Sequence, residues 1–509
     1  MLAAIVALSL WAHIWGVRGD LPWAFASDEG QSAVLAIRMA AEGDPNPRWF
    51  GHPGSTFFYP LAALFRIANA VEAGQSPLRH DPGLAARVGG DPGRYFLLGR
   101  LIAVFFAVAS LPLLYLIARR AYDTTTALVA TWLASLSPLA LEHAQMLRTD
   151  SAGLFFGLLA LWLSLRVLDH PGRKAHVVAG LALGAAIGTR YFLVTLVPIL
   201  VLADALLWRR CAGDAGARQR LIRASILGLG CVALGFVLST PYFLLDLPTV
   251  WQNLVHETRS EHIGADGLGF AGNLYWYLTE ALPAALPDAA LALAALGLVH
   301  VAWRRNVQAL LAAASIITFL LAISTASLHW QRWLIQVLPL VALLAAGALV
   351  AIARALAQRV STRRGVEIAL VVAATALLSA GPALGYFRFA LAQGKPSTRV
   401  AAREWMIANL APGSTIAADF YTAPLHGSEL RADYHFSLAA NGTLAEYRKA
   451  GYRYLMVSDA IYARYQREPQ RYAKEVAFYE TLLKSGKTVA RFTPREIGRG
   501  PLITILEPP

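Results

Sequence analysis

Two cysteines in 509 residues, Cys211 and Cys231, exclude a disulfide framework and a thiolate metal cage. Charge is also scarce. Only 15% of the residues are charged, against roughly 25% in soluble globular chains. With 56% hydrophobic residues and a mean hydropathy of +0.48, the chain is too apolar for a soluble fold. No glycine-rich phosphate cradle and no dinucleotide fingerprint occurs, so an ATP or nucleotide-sugar site is unsupported. His256 and His262 lie six apart with Glu257 between them, which is not helical ligand spacing. No tightly bound metal and no cofactor are expected. Acid is rarer than base, 32 against 45, which leaves a net charge of +13. The excess does not point to nucleic acid. It sits in short clusters between apolar runs, where positive charge sets membrane topology.

The apolar runs are the dominant feature. Runs near 1–17, 97–118, 125–141, 151–168, 176–189, 191–208, 224–243, 285–303, 307–326, 333–353 and 366–387 read as transmembrane helices. Every second loop is short and basic: Arg119/Arg120, Arg173/Lys174, Arg209 to Arg223, Arg304/Arg305 and Arg354 to Arg364. Those loops are read as cytoplasmic, which puts the N-terminus inside and everything after 388 outside. The stretch 56–71 is nearly apolar enough to cross, but it carries Arg66 and Asn69. It reads as an interfacial or re-entrant helix within a long outer loop, 18–96. The first run is short and lacks a basic flank, so it is an uncleaved anchor or the true start lies upstream.

Residues 1–390 therefore form a membrane domain. Residues 391–509 turn polar, with helical signal at 398–410 and 469–484. Strand signal appears at 414–418, 452–457, 487–492 and 502–506, which suggests a small α/β extracytoplasmic domain. The Ala/Arg-rich composition points to GC-rich bacterial coding. The expected location is a bacterial inner (plasma) membrane, multi-pass, with the N-terminus cytoplasmic and the C-terminal domain periplasmic or extracellular.

The outer surface collects the candidate chemistry. Asp28 and Glu29 open an outer helix after Ser27, where a cap and first-turn acids also suit ordinary helix initiation. A carboxylate at a water–lipid boundary can take a proton from a substrate hydroxyl. Asp150 starts the fourth run, beside Glu142, His143 and Arg148. Arg100, Arg148, Arg190 and Arg332 stand at outer span ends, against the positive-inside tendency. Several such arginines imply an anionic partner, and a phosphate suits the guanidinium fork, although snorkelling to lipid headgroups explains any one of them. Tyr191 adds a hydroxyl beside Arg190. Possible substrate contacts are His52 before a Pro–Gly turn, His256, Glu257 and His262 in an outer loop, and His329 among tryptophans.

Ordered along the chain, these residues fall in short motifs. They are Asp28-Glu29, Trp49-Phe50-Gly51-His52-Pro53, Gly99-Arg100-Leu101, Leu136-Ser137-Pro138, Arg148-Thr149-Asp150, Gly188-Thr189-Arg190-Tyr191, Thr240-Pro241-Tyr242 and Arg332-Trp333-Leu334. The series resembles membrane glycosyltransferases of the GT-C fold, over about residues 1–390. The branch it is most similar to comprises bacterial relatives of the dolichyl-phosphate-mannose protein mannosyltransferases and of the lipid A aminoarabinose transferase.

The resemblance implies a polytopic α-helical membrane protein with about eleven transmembrane helices. It implies an inverting hexosyl- or pentosyltransferase that uses a polyprenyl-phosphate-linked sugar. Asp28 would be the base for an acceptor hydroxyl on protein, lipid or glycan, and Glu29 and Asp150 would position substrates. Arg190, Tyr191, Arg332 and Arg148 would hold the lipid phosphate. The alternative is a transporter or flippase of lipid-linked sugars, which would place charges at the bilayer midplane; candidates are few, Asp204 lying towards the inner end of the sixth run, and no inverted repeat is evident. A non-catalytic membrane scaffold is a third reading.

Overall fold

The computed structural model describes every residue except 24–26, 52–53, 75, 78–80, 82, 260–261 and 361–363, together with the side chain of Ser27. The expected Ser27 cap therefore lies outside the described residues. The chain forms two compact units. One contains Met1–Ile14, Asp28–Glu261 and Gly267–Ala390; the other contains Trp15–Ser27, His262–Asp266 and Leu391–Pro509.

The first unit is helical, and each apolar run named above falls on one helix or on two consecutive ones. Among the described residues, six helices are long and apolar enough to cross a membrane, or seven if one bent pair is a single span. The others are shorter. Leu2–Trp15 has 14 residues, and Asp150–Arg166, Arg173–Thr189 and Asp288–Arg304 have 17 each, at or below the short end of the roughly 17–25 needed. Eleven is thus a count of apolar helical segments rather than of demonstrated crossings. The stretch at 56–71 forms the helix Ser55–Ala73, which is not among the six.

Two local devices shape this bundle. Thr124–Ser135 and Pro138–Ala144 meet at 63°. Pro138 cannot donate to the preceding turn, and Ser137 Oγ instead accepts from Ala140 N at 3.2 Å to start the second helix. The second device is a glycine seam. A Cβ on Gly184 would lie 2.3 Å from Val232 O, and one on Gly180 2.1 Å from Gly228 O. Arg173–Thr189 and Ala215–Ser239 therefore approach backbone to backbone, as small residues permit between apolar helices.

In the second unit, β1 (Thr415–Asp419), β2 (Arg431–His435), β3 (Tyr454–Ser458), β4 (Lys487–Phe492) and β5 (Ile503–Glu507) form one sheet in the order β2-β1-β3-β5-β4. β1 pairs parallel with β2 and β3; β5 runs antiparallel to β3 and β4. Alternation along the strands feeds two cores. Ile416, Ala418 and Met456 pack with Ala402 and Met406 of the helix Thr398–Asn409. Ala417, Leu455 and Val457 face the other way, towards Ile461, Tyr465, Tyr479 and Leu482. Four strands fall where the sequence put them to within two residues. The polar edge strand β2 was not anticipated.

Asp419 ends β1 fully buried. Its carboxylate accepts from Leu438 N (2.9 Å), Ser458 N (3.3 Å) and Tyr479 OH (2.8 Å). Burial outweighs these donors and pushes its pKa up to about 7 from an ordinary 3.8. Between those values the folded state binds more protons than the unfolded state. The stability this group carries is complete below about pH 4 and is lost as pH rises towards about 7. Thermal unfolding followed across that window should show the decline, and Asp419→Asn should flatten it. A slope unchanged in the variant would assign the titration to another group.

The seam makes its own prediction. Gly184→Leu forces backbone apart and should cost about 3 kcal/mol or more, the upper end of overpacking. Gly184→Ala should cost less. Melting temperatures of the purified variants in lipid test the ranking, and equal values would refute close packing there.

Candidate active site

The helix Ser27–Glu42 presents two consecutive acids, and one residue of helical rotation sends them to different neighbours. Glu29 turns inward and is 1% exposed. Arg100 grips it in fork geometry, Nε to Oε1 at 2.6 Å and Nη2 to Oε2 at 3.0 Å. Leu147 N donates to the same Oε1 at 3.0 Å. A Cβ on Gly99 would meet Leu147 Cδ1 at 2.2 Å, so glycine before Arg100 lets these segments close on the pair.

Asp28 turns to a cleft and keeps 35% of its side chain exposed. Its Oδ2 accepts from Arg332 Nη1 at 2.8 Å and also from Arg148 Nη2. Arg148 Nε in turn lies 3.6 Å from Asp150 Oδ2, and Arg190 Nη2 donates to Asp150 Oδ1. The result is a row, Arg332–Asp28–Arg148–Asp150–Arg190, in which cation and anion alternate.

Each member is set by its own segment. Asp150 begins the helix Asp150–Arg166, and its carbonyl accepts from Gln336 Nε2 at 3.1 Å. Arg190 follows the helix Arg173–Thr189 and passes over Gly153, where a Cβ would lie 3.0 Å from Arg190 Cγ. Arg332 stacks on Trp330, 4.9 Å from its ring centre, and Trp330 N donates to Tyr277 OH at 3.1 Å.

Asp28, Arg148, Asp150, Arg190 and Arg332 all line one small cleft, with Gln31, Ser32, Trp49 and Thr149. Among the described residues, Nε of Arg190 and Nε of Arg332 are buried donors without an acceptor. A buried donor normally has a partner. Asp150 Oδ2 of the same row is likewise a buried acceptor without a donor, so the row carries unfilled hydrogen-bonding capacity of both kinds; guanidinium edges pair with phosphate or carboxylate oxygens.

Other expected site residues stand elsewhere. Tyr191 OH donates to Phe50 O at 2.8 Å and so braces the 49–51 loop. His256 is exposed on the helix Leu247–Glu257, while Glu257 packs against Gly51. His262 belongs to the second unit, where its ring lies 6.1 Å from Phe436. His329 is buried against Trp276 at 4.4 Å. His52 lies outside the described residues. Sequence reasoning missed Gln31, Ser32 and Gln336. The first two share the face of Asp28 at helical spacing, a signal that was available; Gln336 had none.

The family model described as dolichyl-phosphate-mannose-protein mannosyltransferase matches residues 86–244. A putative mannosyltransferase of Bacillus subtilis (strain 168), YkcB, is 23% identical over 217 residues; the match spans 42% of this chain and only 29% of the relative. Among solved structures, apo ArnT from Cupriavidus metallidurans superposes over 99% of this chain and 97% of its own, with a TM-score of 0.54 at 16% identity.

The chain has the GT-C glycosyltransferase fold. The oligosaccharyltransferase AglB from Archaeoglobus fulgidus, a larger protein, also matches over 97% of this chain and 73% of its own, at a TM-score of 0.51 and 13% identity.

In this GT-C chain the Glu29–Arg100 pair is the footing of the row. Breaking a buried pair from one side leaves an uncompensated charge, at about 3–5 kcal/mol. Arg100→Met should therefore lower the melting temperature sharply. Adding Glu29→Met should recover much of the loss. A single variant as stable as wild type would show the pair to be dispensable.

Proposed function

We propose that this chain is a glycosyltransferase that moves a sugar from a polyprenyl-phosphate carrier to an acceptor hydroxyl of a protein, lipid or glycan. The observation that carries the proposal is the alternating row in the cleft. It combines a part-exposed carboxylate with buried guanidinium donors that lack partners. The family match and ArnT, which has also been solved bound to undecaprenyl phosphate, support a lipid-linked donor. The membrane domain is assigned to 1–390 and the extracytoplasmic α/β domain to 391–509. The cleft end of the bundle faces away from the cytoplasm, because the basic clusters gather at the other helix ends.

The chemistry follows from competition for arginine. A phosphodiester entering the cleft offers Arg148, Arg190 and Arg332 a second anionic partner. Release from Arg148 and Arg332 leaves Asp28 Oδ2 able to accept a proton. The acceptor hydroxyl gives that proton to Asp28 as its oxygen bonds to the anomeric carbon from the side opposite the phosphate. The carbon–oxygen bond to phosphate breaks, its electron pair stays on the phosphate oxygen, and the anomeric configuration inverts. The arginines are in place before charge develops, which is where electrostatic stabilisation is worth most. Asp150 holds Arg148 and Arg190, and Glu29 fixes the helix that presents Asp28; both are positioning residues. Tyr191 acts through the 49–51 loop.

The test uses protein in lipid nanodiscs, a panel of polyprenyl-phosphate sugars and a membrane extract as acceptor source. Wild type should release polyprenyl phosphate, and Asp28→Asn should lose about 10²–10⁴-fold, the usual weight of a general base. Equal release by both would remove Asp28 as base. Absence of release with every donor would sink the transferase reading and favour translocation.

A further inference from the structure

The helix Leu247–Glu257 has three chemically distinct faces. Val250, Asn253 and Glu257 turn to the protein: Val250 is buried, Asn253 Oδ1 accepts from Phe50 N at 2.8 Å, and Glu257 lies against Gly51. Gln252 and His256 are polar and exposed. Leu247, Trp251 and Val255, spaced four apart on a third face, are 57%, 71% and 51% exposed. A helix packed on a soluble surface needs only two faces, one inward and one to water. The third face is a stripe of large apolar side chains centred on a tryptophan.

The stripe is continuous with apolar surface on neighbouring elements. The preceding helix, Ala215–Ser239, ends with Leu234 and Leu238 exposed, and Leu244 and Leu245 follow before the stripe begins. Ala215–Ser239 is long and apolar enough to cross a membrane, and in such a span its exposed leucines face lipid. The apolar band therefore runs off the end of a span and turns onto the short helix. Asn253 and Glu257 meet the loop that carries Trp49, a wall of the cleft.

We propose that Leu247–Glu257 lies in the plane of the membrane at the cleft end of the bundle. Leu247, Trp251 and Val255 sit among the acyl chains, Gln252 and His256 face water, and Asn253 ties this seat to the cleft wall. Its partner is the lipid surface itself. Tryptophan is favoured at that boundary, and in-plane helices bury an apolar stripe about 5–10 Å deep. The inference rests on the membrane bundle and not on the transferase reading.

The experiment places nitroxide labels on the full chain in nanodiscs. Leu247→Cys, Trp251→Cys, Val255→Cys, Gln252→Cys and His256→Cys are made singly on Cys211→Ser, with buried Cys231 retained. Accessibility to oxygen, which enters acyl chains, is compared with that to a nickel chelate, which stays in water. The oxygen-to-nickel ratio should be about tenfold higher at 247, 251 and 255 than at 252 and 256, given the depth of an in-plane helix. Nickel access at all five would mean a water-exposed helix and overturn the proposal. Exclusion of both reagents from 247, 251 and 255 alone would mean a protein partner, and would overturn it too. Leu244→Cys and Leu245→Cys replace any variant that fails to elute as folded protein.

Discussion

Everything in the cleft depends on alternating opposite charges at the ends of apolar helices. A lone arginine in hydrocarbon costs about 2.5–3.5 kcal/mol on insertion scales, and an unpaired buried carboxylate is no cheaper. Neither Asp150 nor Arg190 is tolerable alone; each becomes so because the next member of the row is opposite in sign. The row also has a geometric effect. Its five members come from segments far apart in sequence, from Asp28 to Arg332, so satisfying them fixes where four helix ends meet. The glycine seam, the turn at Pro138 and the small residue at Gly153 are steric permissions that let those ends arrive.

A division of labour follows. Glu29 is one residue from Asp28, has no exposure to speak of, and is saturated by Arg100 and Leu147 N. It anchors the helix that Asp28 uses. Neighbours in sequence thus meet different surroundings, because helical rotation points one acid into the bundle and the other into the cleft; on the proposed reaction the first supports and the second reacts.

Much of this was legible in the sequence. The three arginines of the row stood out because arginines at the non-basic ends of spans contradict the charge rule that the rest of the chain obeys, and its two carboxylates because each opens a helix on the outer side. The apolar runs marked the helices, and strand-like runs marked four of the five strands. What was hidden has physical reasons. β2 reads Arg-Ala-Asp-Tyr-His and lies at the sheet edge, where no burial forces an apolar pattern. The pairing of Glu29 with Arg100 depends on side-chain direction, which an adjacent Asp-Glu does not reveal. The histidines were conspicuous as letters, yet His262 lies in the other unit and His329 packs under Trp276. Gln336 reaches Asp150 by a hydrogen bond to backbone, for which no sequence pattern exists.

The row begins and ends on arginine, so three cations face two anions and one positive charge is left over. A phosphodiester carries one negative charge and brings the set to neutrality. A phosphate monoester carries about −1.5 to −2 at neutral pH. On the proposed reaction the donor is the first kind of anion and the spent carrier is the second. The proton that Asp28 takes from the acceptor cancels one of the two negative charges of the row and leaves an excess of two positive charges, which matches the spent carrier. Departure of the carrier is thereby coupled to Asp28 giving that proton up, since the restored carboxylate again competes for Arg148 and Arg332.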